Sequence, residues 1–228
     1  MITRAQGIDI SRWDLSFDPQ KAIKQIDFVI IKASEGTYWY DTAYPKMLTG
    51  VRQIPIRGAY HYFRNPGSDY LDQANWFLKR VEERANDFQF YALDFESINN
   101  KLSVSMSMWA DKWMSEVQRR TEKKVVFYTN RNLYDLYGWH YCSRWPLWYA
   151  WYRNWPWSSP DKDPIMPKKR NANDWTIWQF SCEQNQPFEN LSKSYGCGAN
   201  KIDLNLFNGT TADMHAWLSL EEVLPTPP

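Results

Sequence analysis

Eight short β-rich runs, each parted from the next by a helix-like or loop-like stretch, constrain this chain more than any other feature. They are Gly7–Ile10, Phe28–Lys32, Ile56–Tyr62, Phe88–Phe95, Val125–Tyr128, Leu147–Ala150, Thr176–Phe180 and Ile202–Leu206. Alternation of this kind gives an α/β architecture with a largely parallel sheet. Eight strands in one domain close into a (β/α) barrel more readily than they spread as an open sheet. With 228 residues the chain is short for eight complete units, which typically take about 250. The expected fold is therefore an irregular, flattened TIM-like barrel with eight strands and reduced helices.

Apolar spacing places the helices between these strands. Leu71, Ala74, Leu78 and Val81 recur at the interval of one helix face, with Ser68 available as a cap. Met106, Trp109, Trp113 and Val117 repeat the pattern in the next crossover, and Met214, Trp217 and Leu218 mark a final helix starting near Thr210 or Thr211. That spacing is what packing against a sheet demands, so these Met and Trp stripes are read as core. Trp155–Asn173, rich in Pro, Ser, Asp and Lys, reads as a long exposed loop. One folded domain is expected over residues 1–222, with residues 223–228 opening a Pro-rich linker or tail.

Bulk properties exclude several partners. The 27 basic and 26 acidic residues nearly cancel, so there is no electrostatic reason to expect nucleic acid. No apolar run approaches the ~18 residues of a membrane span, and the first residues lack a signal-peptide hydrophobic region. Cys142, Cys182 and Cys197 show no metal-site spacing. Neither a metal nor another cofactor is expected, and free thiols are the simpler reading, although Cys182 and Cys197 could pair. Aromatic content is high, with 14 Trp and 14 Tyr. Such rings fill cores, but flat apolar faces also suit a carbohydrate cleft.

The most informative stretch is Phe90-Tyr91-Ala92-Leu93-Asp94-Phe95-Glu96-Ser97, an apolar strand that ends in two acids. Residues two apart on a strand project to the same face, with Cα atoms about 6.6 Å apart at ~3.3 Å per residue. Two carboxylates so placed repel, and the repulsion raises one pKa, which is the condition for a general acid near neutral pH. In a barrel the strand C-termini form the mouth where active sites lie. Asp9 in the first run and Asp203 in the last would face each other there, because the first and last strands of a closed barrel are neighbours. Asp94 and Glu96 could instead be solvated acids at the start of a loop, and Asp9 and Asp203 could be structural. One acidic site explains all four more economically. With no credible nucleophilic triad and no Gly-rich phosphate loop, glycoside hydrolysis fits best.

Seven stretches, in order, also resemble those of glycoside hydrolase family 25, the Chalaropsis-type lysozymes of phage endolysins, bacterial autolysins and some fungi. They are Gly7-Ile8-Asp9-Ile10-Ser11, Ile31-Lys32-Ala33-Ser34-Glu35-Gly36-Thr37, Gly58-Ala59-Tyr60-His61-Tyr62-Phe63, Leu93-Asp94-Phe95-Glu96, Phe127-Tyr128-Thr129-Asn130, Ile177-Trp178-Gln179-Phe180 and Ile202-Asp203-Leu204-Asn205-Leu206-Phe207. The resemblance implies an irregular barrel that cleaves the β-1,4 bond between N-acetylmuramic acid and N-acetylglucosamine in peptidoglycan. It implies Glu96 as acid/base and Asp94 as its partner, with Asp9 and Asp203 lining the same floor. Asp94 would act either as nucleophile or by orienting a substrate acetamido group that itself attacks C1. The second is the favoured reading, and both retain configuration.

Position then suggests sugar contacts. Tyr60 and Tyr62 share parity on the third strand and reach the mouth together, and Tyr128 and Gln179 occupy family-matching places on later strands. Glu35 is a further candidate, either toward substrate or tying its loop to the barrel. Trp151 belongs to a crowd of six Trp between Trp139 and Trp157, which would wall the groove or pack an enlarged loop. His61, of opposite parity to its Tyr neighbours, reads as structural. The expected partner is the peptidoglycan glycan strand, with no nucleic acid and no membrane insertion, bound by a monomer acting at the bacterial wall. A phage-encoded protein released without a signal peptide is the favoured origin. A non-catalytic peptidoglycan-binding module, or a hydrolase of another acetamido-sugar glycan, would use the same fold.

Overall fold

The computed structural model describes residues 4–14, 17–64, 69–96, 103–152, 163–168, 174–182, 193, 195 and 202–220, apart from the side chain of residue 139. All eight expected strands are present, and a ninth is added. They are β1 (Gln6–Ile10), β2 (Phe28–Glu35), β3 (Trp39–Tyr40), β4 (Ile56–Tyr62), β5 (Phe90–Asp94), β6 (Lys124–Asn130), β7 (Leu147–Ala150), β8 (Ile177–Ser181) and β9 (Asp203–Phe207). The sheet runs β1-β9-β8-β7-β6-β5-β4-β2-β3, and a parallel pairing of β1 with β2 closes it into an eight-stranded barrel. The two-residue β3 lies outside the closed ring as a hairpin partner of β2.

The barrel strands are parallel except β9, which runs antiparallel to both β1 and β8. That reversal matters for the mouth. Asp203 begins β9, and in a parallel strand its first residue would lie at the closed end. Because β9 is inverted, Asp203 is instead directly opposite Asp9 in register.

Alternate residues of each strand point into the barrel. The half away from the mouth is filled by Phe28, Ile30, Ile56, Phe90, Val126, Ile177 and Phe207. Gly7 and Gly58 make this layer possible, since a Cβ would stand 2.4 Å from the Phe28 ring at the first and 2.6 Å from the Phe90 ring at the second. The closing helix Thr211–Ser219 starts with a capping box between Thr210 and Asp213. It seals this end with buried Met214 and with Trp217, whose ring lies 6.3 Å from Phe90 and 5.7 Å from Phe207.

The crossovers are uneven, as the chain length requires. Short α1 (Pro19–Ala22) and α2 (Tyr44–Gly50) precede two full helices, α3 (Tyr70–Val81) and α4 (Val104–Thr121). Between β6 and β7 only brief turns remain, Arg131–Leu133, Tyr134–Gly138 and Trp139–Tyr141, the middle one of π type. Met106, Trp113 and Val117 of α4 are buried with Trp109 half-buried, as the stripe predicts. On α3 the inward face is Gln73, Ala74, Phe77, Leu78 and Val81. Leu71, expected in the core, is instead 41% exposed, because the buried stripe is centred on the Phe77 side of the helix. The cap is Asp69, accepting from the Leu71 N–H at 2.7 Å; Ser68, the sequence candidate, lies outside the described residues.

Candidate active site

A cavity of about 200 Å³ opens at the barrel mouth, lined among others by Asp9, Asp94, Glu96, Asp203, Tyr60, Tyr62, Tyr128 and Gln179. Strand register explains the convergence. Asp94 ends β5 and pairs with Tyr62 on β4 and with Tyr128 on β6, so the acid sits between two phenols on one level. Glu96, two residues on, keeps the same parity and stands nearer solvent, half-buried where Asp94 is buried.

An amide organises the floor. Gln179 Nε2 donates to Asp9 Oδ1 at 2.9 Å and to Asp203 Oδ2 at 3.3 Å. Its Oε1 accepts from the Tyr128 hydroxyl at 2.8 Å and from the Tyr152 hydroxyl. Asn205 Nδ2 adds a 2.6 Å bond to the same Asp9 oxygen, and Trp148 Nε1 donates to Asn205 Oδ1 at 2.8 Å. The Trp148 ring meets Tyr128 and Tyr60 edge-on, at 4.6 and 6.1 Å, and so forms the wall between them.

Burial dominates the electrostatics. It pushes Asp9 up to about 6, against the lowering effect of its Asn205 and Gln179 hydrogen bonds and with a further push from Glu96. Asp94 is held well above the usual carboxylate range, first by burial and then by Glu96. Its Oδ1 has no hydrogen-bond partner among the described residues. Glu96 is also raised by burial, while a Tyr128 hydrogen bond and the Lys32 charge pull the other way. Three acids in one cleft are thus shifted above their ordinary range, the direction in which a general acid is tuned.

Lys32 is the cation of this cavity. It extends from β2 to Glu35 at 2.8 Å, and Glu35 in turn receives Arg64 Nε at 2.6 Å. The Lys32 ammonium lies 4.7 Å from the Tyr62 ring centre and 5.4 Å from that of Trp39. A β-bulge follows it, and two β2 residues there match one on β4. Lys32 keeps the inward parity of Phe28 and Ile30 beside Tyr60, and the bulge turns Ser34 outward beside His61.

Eight of the ten sequence-selected residues therefore meet at the mouth, and two do not. Glu35 is absent from the cavity lining and serves as the counter-ion between Lys32 and Arg64, which lowers its pKa against the opposing effect of burial. Trp151 follows inward-facing Trp148 and Ala150 with the opposite parity. It packs on the outer core, 6.1 Å from the Trp178 ring, and its carbonyl accepts from Trp178 Nε1 at 2.9 Å. Of the other Trp in that crowd, Trp145 is fully buried and donates to Asp111 at 2.7 Å. Trp155 and Trp157 lie outside the described residues, as does Cys197. His61 is fully buried between Ser34 (2.9 Å) and Gln73 (3.2 Å) and stacked on Trp113; burial lowers it to about 3, so it stays neutral.

Sequence reasoning assigned no role to Lys32, Ser11, Trp13 or Asp14, all of which line the cavity, as does Trp148 from the crowd of Trp expected to wall the groove or pack a loop. Parity with Ile30 was a usable signal for Lys32. The other three follow β1 in an irregular segment with no periodicity to read. Among the described residues no group of three or more His, Cys, Asp or Glu is arranged to hold a metal ion, and no helix is long and apolar enough to cross a membrane.

Known proteins share both the sequence and the barrel. The uncharacterized protein YegX of Escherichia coli O6:H1 is 29% identical over 93% of this chain and 72% of its own length. Lysozyme M1 of Streptomyces globisporus is 28% identical over 92% of the chain and 70% of its own. The crystal structure of a bacterial lysozyme from Streptomyces coelicolor superposes with a TM-score of 0.76 at 27% identity, covering 96% of this chain and 97% of that one. The sequence itself matches glycosyl hydrolases family 25 over residues 8–187, a span that carries the strand with Asp94 and Glu96. An acid-lined barrel mouth and a match of that extent make the chain a glycoside hydrolase, and it belongs to family 25.

Proposed function

We propose that this chain is a muramidase that hydrolyses the β-1,4 bond between N-acetylmuramic acid and N-acetylglucosamine in bacterial peptidoglycan, with Glu96 as general acid/base. One observation carries the reading: Asp94 and Glu96 project from one strand face into the mouth, the inner acid buried and the outer one open to a substrate oxygen. The similarity to proteins described as lysozymes supports the choice of bond.

In the first step Glu96 gives its proton to the glycosidic oxygen as the C1–O bond breaks. The substrate's acetamido oxygen attacks C1 from the opposite face and closes a ring. Asp94 Oδ1, which bonds to no described residue, accepts the acetamido N–H and holds that group in line. Burial disfavours the charged form of Asp94, which weakens it as a nucleophile and favours this route over a glycosyl-enzyme. Water then attacks C1, Glu96 takes its proton back, and configuration is retained. Asp9 and Asp203 shape the floor through Gln179, while Tyr60, Tyr62, Tyr128 and Trp148 present apolar faces to the sugar. The partner is a glycan strand at the bacterial wall, bound by one copy of the chain.

Mass spectrometry of purified peptidoglycan, digested by this chain and by Glu96→Gln, tests the proposal. New reducing ends at N-acetylmuramic acid from the unsubstituted chain alone are expected. Reducing ends at N-acetylglucosamine would move the cut to the other bond. Binding without products from either protein would leave a peptidoglycan-binding module.

A further inference from the structure

On the outer flank of the barrel a second cavity of about 170 Å³ opens between α2 and the end of α3, where the 3-10 turn Glu82–Asp87 follows. Tyr44, Thr49, Arg52, Arg80, Glu83 and Arg84 line it, and none of them lines the barrel mouth. Tyr44 is only 3% exposed. Its hydroxyl has no hydrogen-bond partner among the described residues, nor has the buried Nε of Arg80, nor the hydroxyl of buried Tyr91 close behind. Buried polar atoms are almost always paired, so two unpaired atoms on residues of one cavity lining, from Tyr44 and Arg80, ask for a ligand.

The chemistry of those atoms selects the ligand. A guanidinium N–H can only donate, and burial pushes the Tyr44 hydroxyl far above its ordinary range, so it too remains a donor. The Arg80 guanidinium is held over the Tyr40 and Tyr44 rings, 5.0 and 4.7 Å from their centres, which fixes its plane. Arg52 is tied to Asp87 at 3.5 Å, and Arg80 gives one Nη to the Asp41 carbonyl at 3.5 Å while its Nε stays unpaired, so the charges of Arg80 and Arg84 stand against the single lining carboxylate, Glu83. An anion with several acceptor oxygens suits this cradle, because guanidinium forks match phosphate geometry.

We propose that the Tyr44–Arg80–Arg84 pocket binds a phosphate group, at a site separate from the glycan cleft and independent of the muramidase reading. The phosphate could be free or could belong to the phosphodiester backbone of an anionic wall polymer. Calorimetric titration of inorganic phosphate into the full chain, at constant ionic strength, should show one saturable site. Arg84→Gln and Arg80→Gln should each weaken it about tenfold or more, as loss of a charge-assisted bond does, and Tyr44→Phe severalfold, with glycan cleavage unchanged. Melting curves establish that each variant is folded. Competition by poly(glycerol phosphate) would assign the site to the polymer, and phosphate binding without that competition would assign it to free phosphate. No saturable binding to the unsubstituted chain, or equal affinity in folded Arg84→Gln and Arg80→Gln, would overturn the proposal.

Discussion

Asp9 holds one oxygen, Oδ1, against both Asn205 and Gln179, so any proton it carries is confined to the other. With its pKa near 6 in the folded chain and about 3.9 unfolded, the native state binds more protons between those values. Stability linked to Asp9 therefore falls as pH rises from about 4 to 6, at up to about 1.4 kcal/mol per pH unit. His61 works in the opposite sense. Its folded pKa of about 3 lies below the ordinary 6.5 of a histidine, so its contribution is lost as pH falls through that window. The two slopes oppose each other in the native chain. Asp9→Asn keeps the acceptor but removes the titration, and its melting temperature should rise more steeply between pH 4 and 6 than that of the unsubstituted chain; parallel curves would refute the assignment. At the reacting centre, Glu96→Gln should lower kcat by about 10²–10⁴, the usual worth of a general acid/base. Asp94→Ala should cost about 10²–10³, as removal of one preorganised polar contact does, and the unsubstituted chain should accumulate no covalent glycosyl-enzyme in rapid-quench mass spectra.

Strand parity made most of the site legible. Tyr60 with Tyr62, Asp94 with Glu96, and Tyr128 and Gln179 on later strands all point inward as counting by two requires. Trp151 failed because a cluster of Trp was read as one unit, whereas each residue of a strand faces away from its neighbour. Glu35 took the second of its two readings, an acid tying its loop to the barrel, because its partners Lys32 and Arg64 come together only once β2 and β4 pair. Hairpin β3, only two residues long, offers too little pattern to detect. Gly58 shows how closely the strands constrain the interior. Gly58→Ala would drive a Cβ to within 2.6 Å of the Phe90 ring and should cost about 1–3 kcal/mol, the usual penalty of overpacking. Urea denaturation checks this, and Phe90→Leu in the same chain should recover part of the loss.

Over the whole molecule the two ends of the barrel have separate tasks, with chemistry at the mouth and closure at the opposite end. Trp217 lies on Phe90 and Phe207 at that closed end and does not line the cavity. Trp217→Ala should lower unfolding stability by about 2–4 kcal/mol yet leave kcat at 25 °C unchanged; loss of turnover in a still-folded variant would show the ends to be coupled. The barrel class was readable from the count and spacing of strands. The inversion of β9 was not, because strand direction depends on where the intervening chain travels. That inverted strand has a consequence for when activity can appear. The floor of the cavity joins Asp9 to Asn205, 196 residues along the chain, and to Gln179, 170 along. On a ribosome the first strand emerges long before the last, and until β9 slots between β1 and β8 the acids have nothing to hold them. Hydrolytic competence thus cannot arise from the first strands alone and waits until β9 has been made and has docked between β1 and β8.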